Sequence, residues 1–223
     1  MGAAPVRDYL RFTALEDGTF TLTLPSQVTA SHVSYVEYST DEGETWVHTD
    51  NDSTEVTITT PTITTGNSVL WRGSGIKYGI STTEAQNSKF SSSGIFSISG
   101  DVTMLLNPNK SVKALSSSNT YCFAFLFKGS KCTTAPQLPA TTLASYCYYQ
   151  MFYNCTSLTT APELPAMTLA GYCYTTMFYG CTSLTTAPEL PATTLATYCY
   201  GHMFQGCTSL TTAPQLPATT LAT

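Results

Sequence analysis

The sequence predicts an α+β, β-rich protein in two parts: a β-sandwich-like N-terminal capping domain over residues 1–112 and a solenoid of 26-residue repeats over 113–223. Three observations carry that reading. From Thr133 onward the chain repeats every 26 residues, with Thr133, Thr159, Thr185 and Thr211 opening the same phrase. Self-similarity at a fixed period of about 20 to 50 residues marks units that bury their apolar side chains against their neighbours. Before the repeats, residues 8 to about 106 alternate apolar and polar in short runs broken by turn residues. Charge is also segregated, since all nine Lys and Arg lie at or before Lys131 and only Glu163 and Glu189 carry charge beyond it.

Taken in order, residues 19–24 (TFTLTL) put Phe20, Leu22 and Leu24 on one face at period two. Further strands are expected at 33–38, 45–48, 55–60, 68–72, 95–99 and 102–106, with Gly, Asn, Asp and Ser in the gaps. Residues 107–132 form a junction. There Tyr121-Cys122-Phe123 through Phe127 is a degenerate copy of Tyr146-Cys147-Tyr148 through Phe152, at an offset of 25 rather than 26. An atypical first unit is what a capping repeat looks like, and the β-domain is expected to pack on it. Within a unit, 158–164 (LTTAPEL) is a candidate short strand limited by Pro162. Residues 172–178 (YCYTTMF) read as about two helical turns stopped at Gly180. Leu158, Ala161, Leu164, Leu169, Met177 and Phe178 are expected to point inward and stack in columns at about 4.8 Å per coil.

The phrase MFYGCTSLTTAPELPATTLA resembles the BspA-like leucine-rich repeats of bacterial surface proteins, with Phe178, Gly180, Cys181, Ser183, Leu184, Ala187, Leu190 and Pro191 carrying the likeness. It covers 121–223 and departs from the family in its longer, 26-residue unit. The resemblance implies a curved leucine-rich repeat solenoid used in adhesion or host contact, with no catalytic residue. A smaller likeness lies at Ser39-Thr40-Asp41-Glu42-Gly43-Glu44-Thr45-Trp46, which resembles the Asp-box hairpin S-x-D-x-G-x-T-W. There Asp41 is expected to bond turn amides, Gly43 to take a positive φ and Trp46 to pack back over the loop. A sialidase would need several such boxes and an arginine cluster, whereas the chain has only Arg7, Arg11 and Arg72.

No catalytic constellation, cofactor site or metal site is expected. The eight cysteines form ladders at Cys147/Cys173/Cys199 and Cys155/Cys181/Cys207, with Cys122 and Cys132 in the first unit. Their spacing of eight within a unit does not match a zinc motif, which favours buried thiols over disulfides or metal. Asp50-Asn51-Asp52 with Glu55 lacks the glycine and spacing of an EF-hand and reads as an acidic turn rather than a Ca²⁺ site. The threonine ranks lack the Thr-x-Thr spacing that would put both hydroxyls on one flat ice-binding face.

Tyrosines recur at 146/172/198 and 148/174/200, either as core spacers or as contacts to a sugar or a protein. The repeats differ mainly at 145/171/197, 149/175/201, 150/176/202 and 153/179/205. That variation is either drift on a solvated face or a surface tuned to a partner. On the second reading Tyr149, Tyr153, Tyr179 and His202 are candidate ligand contacts, joined by Trp71 as a sugar-binding candidate in the β-domain. The function expected is therefore a non-enzymatic cell-surface or virion-associated adhesin that presents a repeat surface to a protein or glycan on a host or bacterial surface. The alternatives are a structural spacer or a carbohydrate-binding accessory module.

A repeat region without a cation excludes phosphate neutralisation, so no nucleic acid partner is expected. No apolar run reaches the roughly 18 to 20 residues of a membrane span, and no signal peptide is visible. The half copy ending at Thr223 predicts self-association through the open C-terminal repeat.

Overall fold

The computed structural model describes residues 7–51 and 54–220. Among these residues the strands are, in chain order, β1 Leu10–Ala14, β2 Phe20–Leu24, β3 Val33–Ser39, β4 Val47–Asp50, β5 Val56–Thr59, β6 Ser68–Gly75, β7 Lys89–Ser92 and β8 Phe96–Ser99. They form two open antiparallel sheets, ordered β4-β3-β6-β1-β8 and β5-β2-β7. Period-two patterning fixes which face is buried: Leu10, Phe12 and Ala14 of β1 alternate with half-exposed Arg11 and Thr13, and β2 does the same with Phe20, Leu22 and Leu24. Phe12 joins the sheets, with its ring 5.4 Å from Phe20, 4.9 Å from Phe90 and 5.2 Å from Phe96.

The β-rich reading holds for this first half, with local corrections. Strands β1 and β7 were not assigned from sequence. Residues 102–106, expected as a strand, contain instead a buried 3₁₀ turn at Val102–Leu105. Asp101 starts that turn by accepting from the amide and hydroxyl of Thr103, both at 2.7 Å. Trp71, proposed as a sugar contact, is fully buried between Phe12, Tyr38 and Phe90, where no ligand reaches it.

The expected leucine-rich repeat solenoid with a helix in each unit is overturned. The described residues contain no α-helix, and no strand beyond Ser99. Strand and isolated-bridge residues together account for 26% of the described residues and helical turn for 5%, all of the latter 3₁₀, so the α+β class does not apply. Residues 158–164 contribute only the parallel bridge Thr160↔Thr186 in place of a strand.

Where two helical turns were expected, every fourth residue instead takes the left-handed region: Tyr146, Gln150 and Asn154 in one repeat, Tyr172, Thr176 and Gly180 in the next, Tyr198, His202 and Gly206 in the third. The backbone amides then divide by parity. Odd-numbered Cys173, Thr175, Met177, Tyr179 and Cys181 bond to carbonyls three residues back. Even-numbered Tyr172, Tyr174, Thr176, Phe178 and Gly180 bond to Thr197, Cys199, Gly201, Met203 and Gln205 of the following repeat. A non-glycine residue in the left-handed region costs about 1–2 kcal/mol. Full pairing of amides in a buried strip is the compensation.

Period four sends side chains two in, two out. Cys147, Tyr148, Met151 and Phe152 are buried while Tyr149, Gln150 and Tyr153 are partly open. Of the residues expected inward, Leu158, Leu164, Met177 and Phe178 are buried, and Ala161 and Leu169 are half-buried. The buried rings stack in columns. One runs Phe127–Phe152–Phe178–Phe204 at 5.4, 5.8 and 5.7 Å, and Phe90 of β7 extends it at 5.6 Å. A second runs Phe123–Tyr148–Tyr174–Tyr200 at 5.6 to 5.9 Å. These pairings realise the offset of 25 between the first unit and the next.

The sheets close the first unit's free carbonyls, because the Tyr78 amide donates to Cys122 O and the Phe90 amide to Leu126 O, each at 2.7 Å. One apolar core therefore runs from Leu10 to Cys207 without a break at residue 112. All eight cysteines are free and buried. Cys155, Cys181 and Cys207 donate to the carbonyls of Phe127, Phe152 and Phe178 in the preceding unit at 3.0, 3.1 and 3.0 Å.

Burial pushes the Tyr148 phenol far above its ordinary pKa, and its hydroxyl has no hydrogen-bond partner among the described residues. The first unit has Phe123 at this position. Tyr148→Phe is therefore expected to stabilise the protein by about 1 kcal/mol, read as a higher urea midpoint at unchanged m-value.

Candidate functional site

The out-facing positions of the turn strip bring the variable residues onto one surface. Tyr149, Tyr153, Tyr179 and His202 all lie there, Tyr149, Tyr153 and Tyr179 half-buried and His202 exposed. Tyr153 and Tyr179 stack at 4.7 Å with an interplanar angle of 1°. Tyr149 sits edge-on to Tyr146 at 5.8 Å and to Phe125 at 5.4 Å. The Gln150 side-chain amide donates to the Tyr149 hydroxyl at 3.1 Å. His202 follows Gln150 and Thr176 in the left-handed row and makes no ring contact with Tyr179 among the described residues.

The longest feature on this surface is built from tyrosines that recur with the repeat. Tyr121, Tyr146, Tyr172 and Tyr198 stack face to face at 4.6, 4.6 and 5.3 Å, with interplanar angles of 22°, 3° and 12°. Each of these tyrosines is itself in the left-handed region, at φ 62°, 56°, 59° and 50°. Tyr121, Tyr146 and Tyr172 are half-buried and Tyr198 is exposed, outside the buried ring columns. Burial raises the Tyr146 pKa, reinforced by Tyr121 and Tyr172, and burial likewise raises that of Tyr121 beside Tyr149. Tyr121 and Tyr146 therefore stay protonated at neutral pH and present neutral hydroxyls.

Lys128 brings a cation to the β-domain end of this surface. Its ammonium lies 4.6 Å from the Tyr153 ring centre and 5.1 Å from that of Phe125. It also pairs with Glu84 at 2.8 Å and donates to Gln150 at 3.1 Å. Desolvation opposes ionisation of Glu84, but bonds from Lys128 and Lys89 outweigh it and hold the carboxyl below its ordinary range. Lys128 is thus held in place by a carboxylate that it shares with Lys89.

The Asp-box hairpin is a separate structural device. The Asp41 carboxylate accepts from the Thr45 amide at 2.9 Å, the Gly43 φ is 90°, and Trp46 Nε1 donates to the Gly43 carbonyl at 3.1 Å. The Arg72 guanidinium covers the Trp46 ring at 3.8 Å, with Tyr9 at its edge, so this indole face is occupied. Bonds from the Thr45 hydroxyl and amide and from the Ser39 hydroxyl hold Asp41 at about 2 against an ordinary 3.8. A depressed folded pKa stabilises above the unfolded value and loses that contribution as pH falls through the folded one. Trp46 emission is expected to stay flat down to pH 4 and to titrate near pH 2; a midpoint near 3.8 would remove Asp41 from the turn.

Of the acidic turn, Asp52 lies outside the described residues. Asn51 is buried and donates to the Val28 carbonyl at 2.6 Å, and Asp50 meets His48 at 2.9 Å. No group of three or more His, Cys, Asp or Glu gathers at metal distance among the described residues. No helix among them is long and apolar enough to cross a membrane. The chain matches no family model, no curated protein and no solved structure.

Proposed function

We propose that the chain is a non-enzymatic binding protein that holds a protein ligand on its outward tyrosine surface. The observation that carries this reading is the face-to-face rank Tyr121–Tyr146–Tyr172–Tyr198 beside Tyr149, Tyr153 and Tyr179. Tyrosine lowers the cost of an interface because a large amphipathic contact is fixed by two torsions. Here neighbouring repeats already restrict much of that freedom, so less is lost on association.

The same stacking argues against a sugar. A pyranose packs on an exposed ring face, and within the rank each internal face is covered by the next ring. What remains is a row of ring edges and hydroxyls, which suits the polar groups of a protein surface. The likeness of the repeats to those of bacterial surface proteins supports an extracellular or cell-surface setting and a role in adhesion.

The test uses substitutions already present in other repeats, since Thr175, Tyr179 and Gln205 show what each position accommodates. Wild type and the triple variant Tyr149→Thr, Tyr153→Gln, Tyr179→Gln are applied to protein and glycan arrays. The reading expects protein hits that the variant loses by about tenfold or more, with melting unchanged. Hits confined to glycans, or equal binding by both chains, would overturn it.

A further inference from the structure

A second surface runs along the Ala-Pro-Glu/Gln-Leu-Pro segments, where the repeats turn back. Three depressions follow one another there, with volumes of about 600, 490 and 400 Å³. The first and second share Pro162, Glu163 and Pro165, and the second and third share Pro188, Glu189 and Pro191, so they form one furrow across four repeats. At about 4.8 Å per repeat it is roughly 14 Å long, the span of about four extended residues.

Its walls are proline rings, alanine and leucine, with Glu163 and Glu189 exposed on its rim. Neither carboxylate forms an ion pair among the described residues. No Lys or Arg follows Lys131 in the sequence. Lys113 lines only the first depression, which Glu163 also lines, and forms no ion pair with it among the described residues. The backbone has donors to offer as well: the amides of the exposed Glu163 and Glu189 donate no hydrogen bond among the described residues. The prolines on either side remove the donors that would let another repeat pair here.

We infer that this furrow docks an extended, cationic protein segment in which Lys or Arg alternates with apolar residues. The apolar side chains lie between the prolines, the cations reach Glu163 and Glu189, and the free amides meet the segment's carbonyls. The charges set which chain binds, and the apolar walls hold it. This surface is separate from the tyrosine surface and does not depend on it.

The repeats supply the variants for the test, since Gln137 and Gln215 occupy the positions of Glu163 and Glu189. A fluorescein-labelled hexapeptide alternating lysine and valine is titrated by polarisation, beside its glutamate-for-lysine counterpart. Wild type is expected to bind the lysine peptide and not the glutamate one. Glu163→Gln with Glu189→Gln should weaken binding about fivefold to tenfold, and Gln215→Glu should strengthen it. Glu44→Gln, an exposed carboxylate on the hairpin, should change nothing, whereas attraction to the net charge of −5 would respond to it as much as to either single furrow substitution. Unchanged binding by the Gln variant, equal affinity for both peptides, or no binding of the lysine peptide at millimolar concentration overturns the inference.

Discussion

Replacing Phe152 with alanine is expected to destabilise the protein by about 3–5 kcal/mol. Phe152 is fully buried, with Phe127 at 5.4 Å on one face and Phe178 at 5.8 Å on the other. It sits mid-column between Phe90 of β7 and Phe204 of the third repeat. Its amide bonds to Met177 in the next repeat, and its carbonyl accepts from Cys155 and from the Cys181 thiol. The backbone around a truncated ring is therefore tied on both sides and cannot close the cavity. The loss should appear in a urea transition followed by both Trp71 fluorescence and far-UV dichroism. A cost below about 1 kcal/mol would mean that the column does not carry the contact between the sheets and the repeats.

Gly100→Ala is expected to cost about 3 kcal/mol or more, or roughly 6 to 12 °C in melting temperature. Gly100 joins β8 to the capped turn at Asp101 with φ 75°, and a Cβ there would run into the Tyr9 carbonyl oxygen. Neither backbone can yield freely. The Gly100 carbonyl accepts from the Gln137 amide at 2.7 Å, and the Asp101 amide donates to the Asp8 carbonyl at 2.9 Å. Gly66→Ala is the control: its φ is 88° with no atom within 4 Å of a Cβ, so only the conformational cost of about 1 kcal/mol applies. Equal losses at the two sites would contradict the collision.

Much of this was legible in the sequence. The repeat register, the 25-residue offset of the first unit and the Asp-box hairpin follow from residue types whose local chemistry leaves little choice. The turn strip was not. Apolar residues at Cys173, Tyr174, Met177, Phe178 and Cys181 recur at four, which lies close enough to 3.6 to read as a helix. The one local clue was Asn154, Gly180 and Gly206 in the third left-handed position. Tyrosine, glutamine, threonine and histidine in the other two gave no warning, because the hydrogen bonds that hold them there come from another repeat. Trp71 was misread because Val69, Leu70 and Trp71 are buried in succession, so β6 has no alternation to assign a face. Residues 102–106 were misread because the cap comes from Asp101, outside the apolar run. The tyrosine surface was half visible: variation between repeats marked Tyr149, Tyr153, Tyr179 and His202, while the invariant rank at Tyr146, Tyr172 and Tyr198 needed the backbone conformation to place it.

The division of amides by parity is what distinguishes the turn strip from a helix, and amide exchange resolved residue by residue tests it most directly. In 172–181 both parities are bonded, so all ten amides should exchange slowly. In 198–207 the amides of Cys199, Gly201, Met203, Gln205 and Cys207 bond three residues back, while those of Tyr198, Tyr200, His202, Phe204 and Gly206 donate no backbone bond among the described residues. Alternating slow and fast exchange from 198 to 207, against uniform protection from 172 to 181, is the predicted result. Uniform protection through 202–207 with no alternation, as bonds four residues back would give, would contradict the account and restore a helix to each repeat.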